Sequence, residues 1–134
     1  MLVLLVPLSL LGCAKNKPTA EECGRAWHHV EELEAAAMQA QVEADAEREG
    51  TAATPEMEQA REAMRASTRA LADRAAHDPN MARFQSALNA ACQTGSEATA
   101  KCVLGARSVD DLVKVCRMKA SPGPRGGVSF SWPE

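Results

Sequence analysis

Between residues 19 and 120 the apolar positions recur at alternating gaps of three and four, the spacing of helix faces. Cys23, Ala26, Val30, Leu33, Ala37, Ala40 and Ala44 form the first stripe, flanked by Trp27. It opens behind Thr19-Ala20-Glu21-Glu22, a capping box in which the Thr19 hydroxyl accepts from a backbone N–H while Glu22 reaches back. Gly50 is its natural stop. The stripe begins with large side chains and ends in alanines, so its second half can pack only closely or weakly. A second helix starts at Thr54-Pro55, cap plus first-turn proline, and presents Met57, Ala60, Met64, Ser67, Leu71 and Ala75. Asp78-Pro79 breaks the pattern and restarts it, and Met81, Phe84, Leu88 and Ala91 lead to Cys92. Thr94-Gly95-Ser96-Glu97 reads as another capping box for a short helix through Leu104, ended by Gly105. Ser108-Val109-Asp110-Asp111 caps the last helix, which carries Val109, Leu112, Val113 and Cys116.

No segment before residue 121 alternates at period two. The expected fold is therefore all-α: a small helical bundle over residues 20–120, with two long antiparallel helices and about three short ones closing one end. Ser121 to Gly127 is too rich in proline and glycine for a helix, so residues 121–134 are expected to form a flexible tail. Val128 to Trp132 does alternate apolar and polar, which would suit strand addition to a partner's sheet edge. A disordered end with two incidental aromatics is the reading preferred here.

The chain has 134 residues, enough for one domain, and its apolar side chains are small: aromatics make up 3%, with neither isoleucine nor tyrosine. A core built from them is thin and gains from covalent support. Cys23, Cys92, Cys102 and Cys116 can supply it. The gaps between them are wide and include no Cys-x-x-Cys, which disfavours a zinc site or a redox pair. Two structural disulfides are expected instead, and these belong to an oxidising compartment. Of the three possible connectivities, a hairpin of the last two helices would return Cys116 to the level of Cys92 and leave Cys23 for Cys102. The latter bridge would close a loop of about 80 residues and stabilise by about 4 kcal/mol.

Residues Leu2 to Leu11 are apolar except for Pro7 and Ser9. The run is too short to span a bilayer, which takes about 20 residues, and has the length of the apolar region of a secretory signal. With Leu10-Leu11-Gly12-Cys13 at its end, it resembles the lipobox of bacterial lipoproteins. The resemblance implies cleavage between Gly12 and Cys13, a diacylglyceryl group on the Cys13 thiol and a fatty acyl group such as palmitate on the freed amine. Residues 13–19 would then be the lipidated cysteine and its tether. Ala14 stands where an aspartate commonly marks inner-membrane retention, so the resemblance implies the outer membrane, facing the periplasm or the cell surface. Met1-Leu2-Val3 departs from the basic opening of such leaders, which points either to a start upstream of Met1 or to a weak signal. The segment from Cys102 to Cys116, together with the Cys23 region, also resembles small four-cysteine helical lipoproteins of high-GC bacteria. That resemblance implies no catalytic residue.

The net charge of −3 lacks the cationic excess of a nucleic-acid binder, and it offers no attraction to anionic lipid. Membrane attachment would have to come from the lipid, where two or more acyl chains suffice. His28 and His29 are adjacent, so on a helix they diverge by about 100° and do not chelate one ion together. A surface pair of His28 with Glu32 at i,i+4 is the simpler reading, and His77 before the break at Asp78 can complement helix-end carbonyls. Glu21-Glu22, Glu31-Glu32 and Asp110-Asp111 read as caps and solvated faces. No Gly-x-Ser-x-Gly occurs, and Gly126-Gly127 precedes no helix, so neither an activated nucleophile nor a phosphate loop is indicated. Met57, Met64 and Met81 fill space in the core or line an adaptable groove, and the first stripe can pair with a second copy. The expected function is a lipid-anchored structural or protein-interaction module with no catalytic residues, metal or cofactor. Its partner would be another envelope protein or a second copy. The alternative is a small-ligand or metal binder near Trp27, His28 and His29.

Overall fold

A computed structural model describes residues 16–122 and 128–133. Leu2 to Leu11, the expected cleavage site at Gly12 and Cys13, the expected site of lipid attachment, lie outside the described residues, as do residues 123–127 of the expected tail.

The local signals act as their chemistry dictates. Thr19 and Glu22 form the reciprocal capping box, and α1 runs Ala20–Glu49 until Gly50 adopts the left-handed conformation at φ 71°. Thr54 caps α2 (Pro55–His77) and Asp78 caps α3 (Pro79–Thr94), each with proline in the first turn. Ser96 rather than Thr94 caps α4 (Glu97–Gly105), because Thr94 still belongs to α3 and Gly95 makes the turn. Ser108 caps α5 (Val109–Lys114). The all-α bundle of two long and three short helices is the observed architecture, with one small addition: β1 (Lys119–Pro122) pairs antiparallel with β2 (Val128–Ser131).

That hairpin corrects the expectation of a flexible tail for residues 121–122 and 128–131. Arg117, in the left-handed region at φ 59°, turns the chain out of the Cys116 segment and into β1. Ala120 pairs with Phe130 and Pro122 with Val128. Period-two alternation then turns Phe130 and, two residues on, Trp132 inward, where both are buried. The Trp132 ring meets Trp27 at a centroid distance of 5.6 Å and a tilt of 53°. Two large rings give this alanine-rich chain apolar area it otherwise lacks, and burying them outweighs the cost of ordering the segment.

The core occupies one end of the molecule. Cys23, Ala26, Trp27 and Val30 of α1 pack with Cys92, with Ala100 and Val103 of α4, and with Leu112, Met118, Phe130 and Trp132. Trp27 Nε1 donates to the Leu88 carbonyl at 2.9 Å, joining α1 to α3. Two disulfides close this head, Cys23–Cys92 and Cys102–Cys116. They replace the expected Cys23–Cys102 and Cys92–Cys116. With only six residues, α5 returns the chain by about 9 Å. Cys116 therefore comes level with Cys102 in the middle of α4 and falls short of Cys92. Cys92, in the last turns of α3, lies against the first turn of α1 and takes Cys23.

Beyond the head, burial stops. Ala37, Ala40 and Ala44 are exposed, contrary to the expected stripe, and Ala46 near the turn is the next buried residue of α1. α2 has no buried residue along its 23 positions, and Leu71, Met81 and Phe84 stay exposed where core positions were expected. The expected stripe kept a strict heptad, whereas a straight helix of 3.6 residues per turn rotates away from it. α3, α4, α5 and the hairpin also cover only the first third of α1, so the later alanines lack the cover that the head provides. The two long helices run side by side as an arm and hardly touch.

Candidate functional site

The four cysteines are all in structural bridges, at Cα separations of 5.7 Å for Cys23–Cys92 and 5.5 Å for Cys102–Cys116. Of the residues of the alternative ligand site, Trp27 is set apart from the two histidines. Trp27 is buried in the core, and His28 is on the surface, its Nε2 3.2 Å from Glu32. His29 meets the same carboxylate, its Nδ1 3.6 Å from Glu32, while its Nε2 donates to the Ala106 carbonyl at 2.7 Å. His77 Nδ1 donates to the Asp73 carbonyl at 2.8 Å, completing the end of α2. Among the described residues, no three His, Cys, Asp or Glu side chains come together in a way that could hold a metal ion. The paired carboxylates have structural partners. Glu22 accepts from the Thr19 N–H, Asp111 from the Arg107 N–H, and Asp110 takes Lys114 at 2.6 Å, which raises the Lys114 pKa.

A feature without a structural partner is the cleft between the long helices, about 640 Å³ in volume. Its α1 wall consists of Glu31, Glu34, Ala35, Met38, Gln39 and Glu43, and its α2 wall of Arg61, Met64, Arg65, Thr68, Arg69 and Leu71. The sorting by charge is complete: α1 contributes acids and no base, α2 contributes arginines and no acid. Helical spacing explains it. Arg61, Arg65 and Arg69 follow each other at i,i+4 and form one row, with Met64 and Leu71 beside them.

One pair spans the cleft, at its closed end beside the 50–54 turn. The Arg61 guanidinium donates to both oxygens of Glu43, at 2.6 Å and 2.7 Å, and to the Ala52 carbonyl at 2.8 Å. This forked grip joins α1, the turn and α2. It holds the Glu43 carboxyl below the usual carboxylate range and raises Arg61. Farther from the turn no ion pair joins the two walls among the described residues. Glu34 has no cationic partner among the described residues, and its pKa is raised by partial burial and by neighbouring Glu31. Arg65 and Arg69 fall back on Glu58 and Glu62 of their own helix, at 3.3 to 3.6 Å, where exposed pairs contribute little. Met38 and Leu71 remain more than half exposed.

Sequence reasoning missed this cleft. It left Met64 between a core and an adaptable groove, placed Leu71 on the core stripe and put Glu31 on a solvated face. The signal was the i,i+4 arginine row on α2 against an α1 face bearing only acids, readable once the two helices are taken as antiparallel. No helix among the described residues is long and apolar enough to cross a membrane. Comparison with family models, with curated proteins and with solved structures finds no match to this chain.

Proposed function

We propose that this chain is an exported lipoprotein, held to the cell envelope by lipid on Cys13, that works through protein contacts made by the α1–α2 arm. The observation that carries the reading is the division of labour in the fold. One end is a disulfide-closed head that consumes the large apolar side chains. The other is a pair of long helices whose facing apolar side chains have no cover. A helix with no fully buried residue gains little from packing, and helices depend mainly on packing for stability in water. The paired cysteines support export, since structural disulfides persist in oxidising compartments. The lipobox-like Leu10-Leu11-Gly12-Cys13 supports the anchor, and Ala14 the outer membrane. We propose no catalytic residue, metal or cofactor. The ligand-binding alternative around Trp27, His28 and His29 has weaker support, because Trp27 is buried in the core, His29 Nε2 is taken by the Ala106 carbonyl, and the two histidines share Glu32 in an arrangement that does not form a metal-ligand group among the described residues.

Two measurements test the reading. Intact mass of detergent-extracted protein, without reduction, should equal residues 13–134 plus lipid less four hydrogens. An unlipidated chain retaining residues 1–12 would overturn the anchor. A photocrosslinker replacing Met38 or Leu71 should capture protein in the envelope, while one replacing exposed Val115 on the head should not. The reverse pattern would overturn the role of the arm. Zinc should leave tryptophan fluorescence unchanged; a saturable change lost in His28→Ala would favour the alternative.

A further inference from the structure

The charge pattern of the cleft constrains what can cover it. Acids line only the α1 side, arginines line only the α2 side, and Met38, Met64 and Leu71 lie between them. The Glu43–Arg61 pair sets an antiparallel register. Stepping back along α1 from Glu43 to Glu34, and forward along α2 from Arg61 to Arg69, keeps the two residues at matching heights. A surface with an acidic edge, an apolar middle and a basic edge is complementary to itself under one rotation only. A two-fold axis lying in the face and across the helices would set acid on acid. An axis lying in the face and along the helices sets α1 of one copy on α2 of the other, so every acid meets an arginine at its own height.

From this geometry we infer that the open face of the α1–α2 arm pairs with the same face of a second copy, giving an antiparallel four-helix arrangement in which Glu34 of each copy meets Arg69 of the other. The inference rests on the reading of α1 and α2 as an interaction arm, and is independent of the lipid anchor. It satisfies three features at once. The uncovered methionines and Leu71 enter a shared apolar seam, as in a helix bundle. The acidic wall, where burial and Glu31 already disfavour the charged form of Glu34, gains cations. The exposed Arg65 and Arg69 exchange weak contacts on their own helix for contacts across a partly desolvated interface. The contact is isologous, so each favourable pair occurs twice. A foreign partner would need its own matched bipolar face; a second copy has one by construction.

The test is a charge exchange on the full chain in a mild non-ionic detergent, which keeps the apolar N-terminal run from driving association. Sedimentation equilibrium should show a dimer for the natural sequence. Glu34→Arg, at a partly buried position of the α1 wall, and Arg69→Glu, on exposed helix surface, should each weaken association by about tenfold or more, because like charges then face each other twice. Mixing the two variants should restore the dimer, since in the mixed species both cross-pairs join opposite charges. Circular dichroism of each variant checks that the helices persist. A chain that stays monomeric at tens of micromolar would overturn the inference, as would a dimer indifferent to both substitutions. A monomer that still crosslinks through Met38 overturns self-association while leaving the interaction arm standing; absence of arm crosslinks removes the arm reading itself.

Discussion

Removing the two disulfides one at a time should produce unequal losses in a fixed order. Cys23–Cys92 joins residues separated by 69 positions, and Cys102–Cys116 residues separated by 14. Cross-linking restricts the unfolded chain by an entropy that grows with the logarithm of the closed loop. The relation gives about 4 kcal/mol for the long loop and about 3 kcal/mol for the short one. The long bridge also sits in a fully buried environment, with Cys23 and Cys92 both inaccessible, so its removal adds a packing loss to the entropic one. Cys23→Ala/Cys92→Ala should therefore be the more damaging pair. In a small domain whose net stability is of order 5–15 kcal/mol, it should bring the unfolding transition close to physiological temperature. Urea unfolding of each double variant, followed by far-ultraviolet circular dichroism, measures both losses. Peptide mapping without reduction first establishes which cysteines are joined. The reasoning fails if removing Cys102–Cys116 costs more than removing Cys23–Cys92. It also fails if mapping recovers a Cys23–Cys102 peptide.

Other consequences concern the head and the cleft. Trp132→Ala removes the ring that packs on Trp27 and should cost about 3–5 kcal/mol in urea unfolding; a loss below 1 kcal/mol would show that residues 128–132 do not belong to the core. Gly95→Ala would place a Cβ 2.5 Å from Trp132 Nε1, so overpacking should destabilise by about 1–3 kcal/mol. An unchanged melting temperature would contradict that contact. Glu43 has a depressed pKa in the folded state through Arg61, so its contribution is complete above the ordinary value of 4.5 and is lost as pH falls through the folded value. Acid unfolding curves should be shallower below that pH for Glu43→Gln than for the natural sequence. Identical curves would mean that the pair does not persist in solution.

Much of the fold was readable because its signals are local. A threonine hydroxyl caps a helix through its own third neighbour, and proline at the first turn acts through its own ring. Thr19, Thr54, Asp78 and Ser108 therefore start helices where the sequence indicates. The number of helices, their lengths and the presence of two bridges follow from such signals with cysteine arithmetic. Of the candidate site, only the ingredients were legible: the arginine row, the glutamates and the methionines, without the space between them.

Tertiary structure decided what depends on which surfaces meet. Disulfide pairing turned on the length of α5, because one helical turn more or less moves Cys116 past a different partner. The fate of Phe130 and Trp132 turned on whether the head could receive two rings, a question about volume rather than pattern. The apolar stripe on α2 looked like core by periodicity, yet a stripe states only that a face is apolar, not that anything lies opposite. Here α1 stands across an open cleft without covering it, and the acidic and basic walls come to face each other only because the 50–54 turn folds α2 back alongside α1.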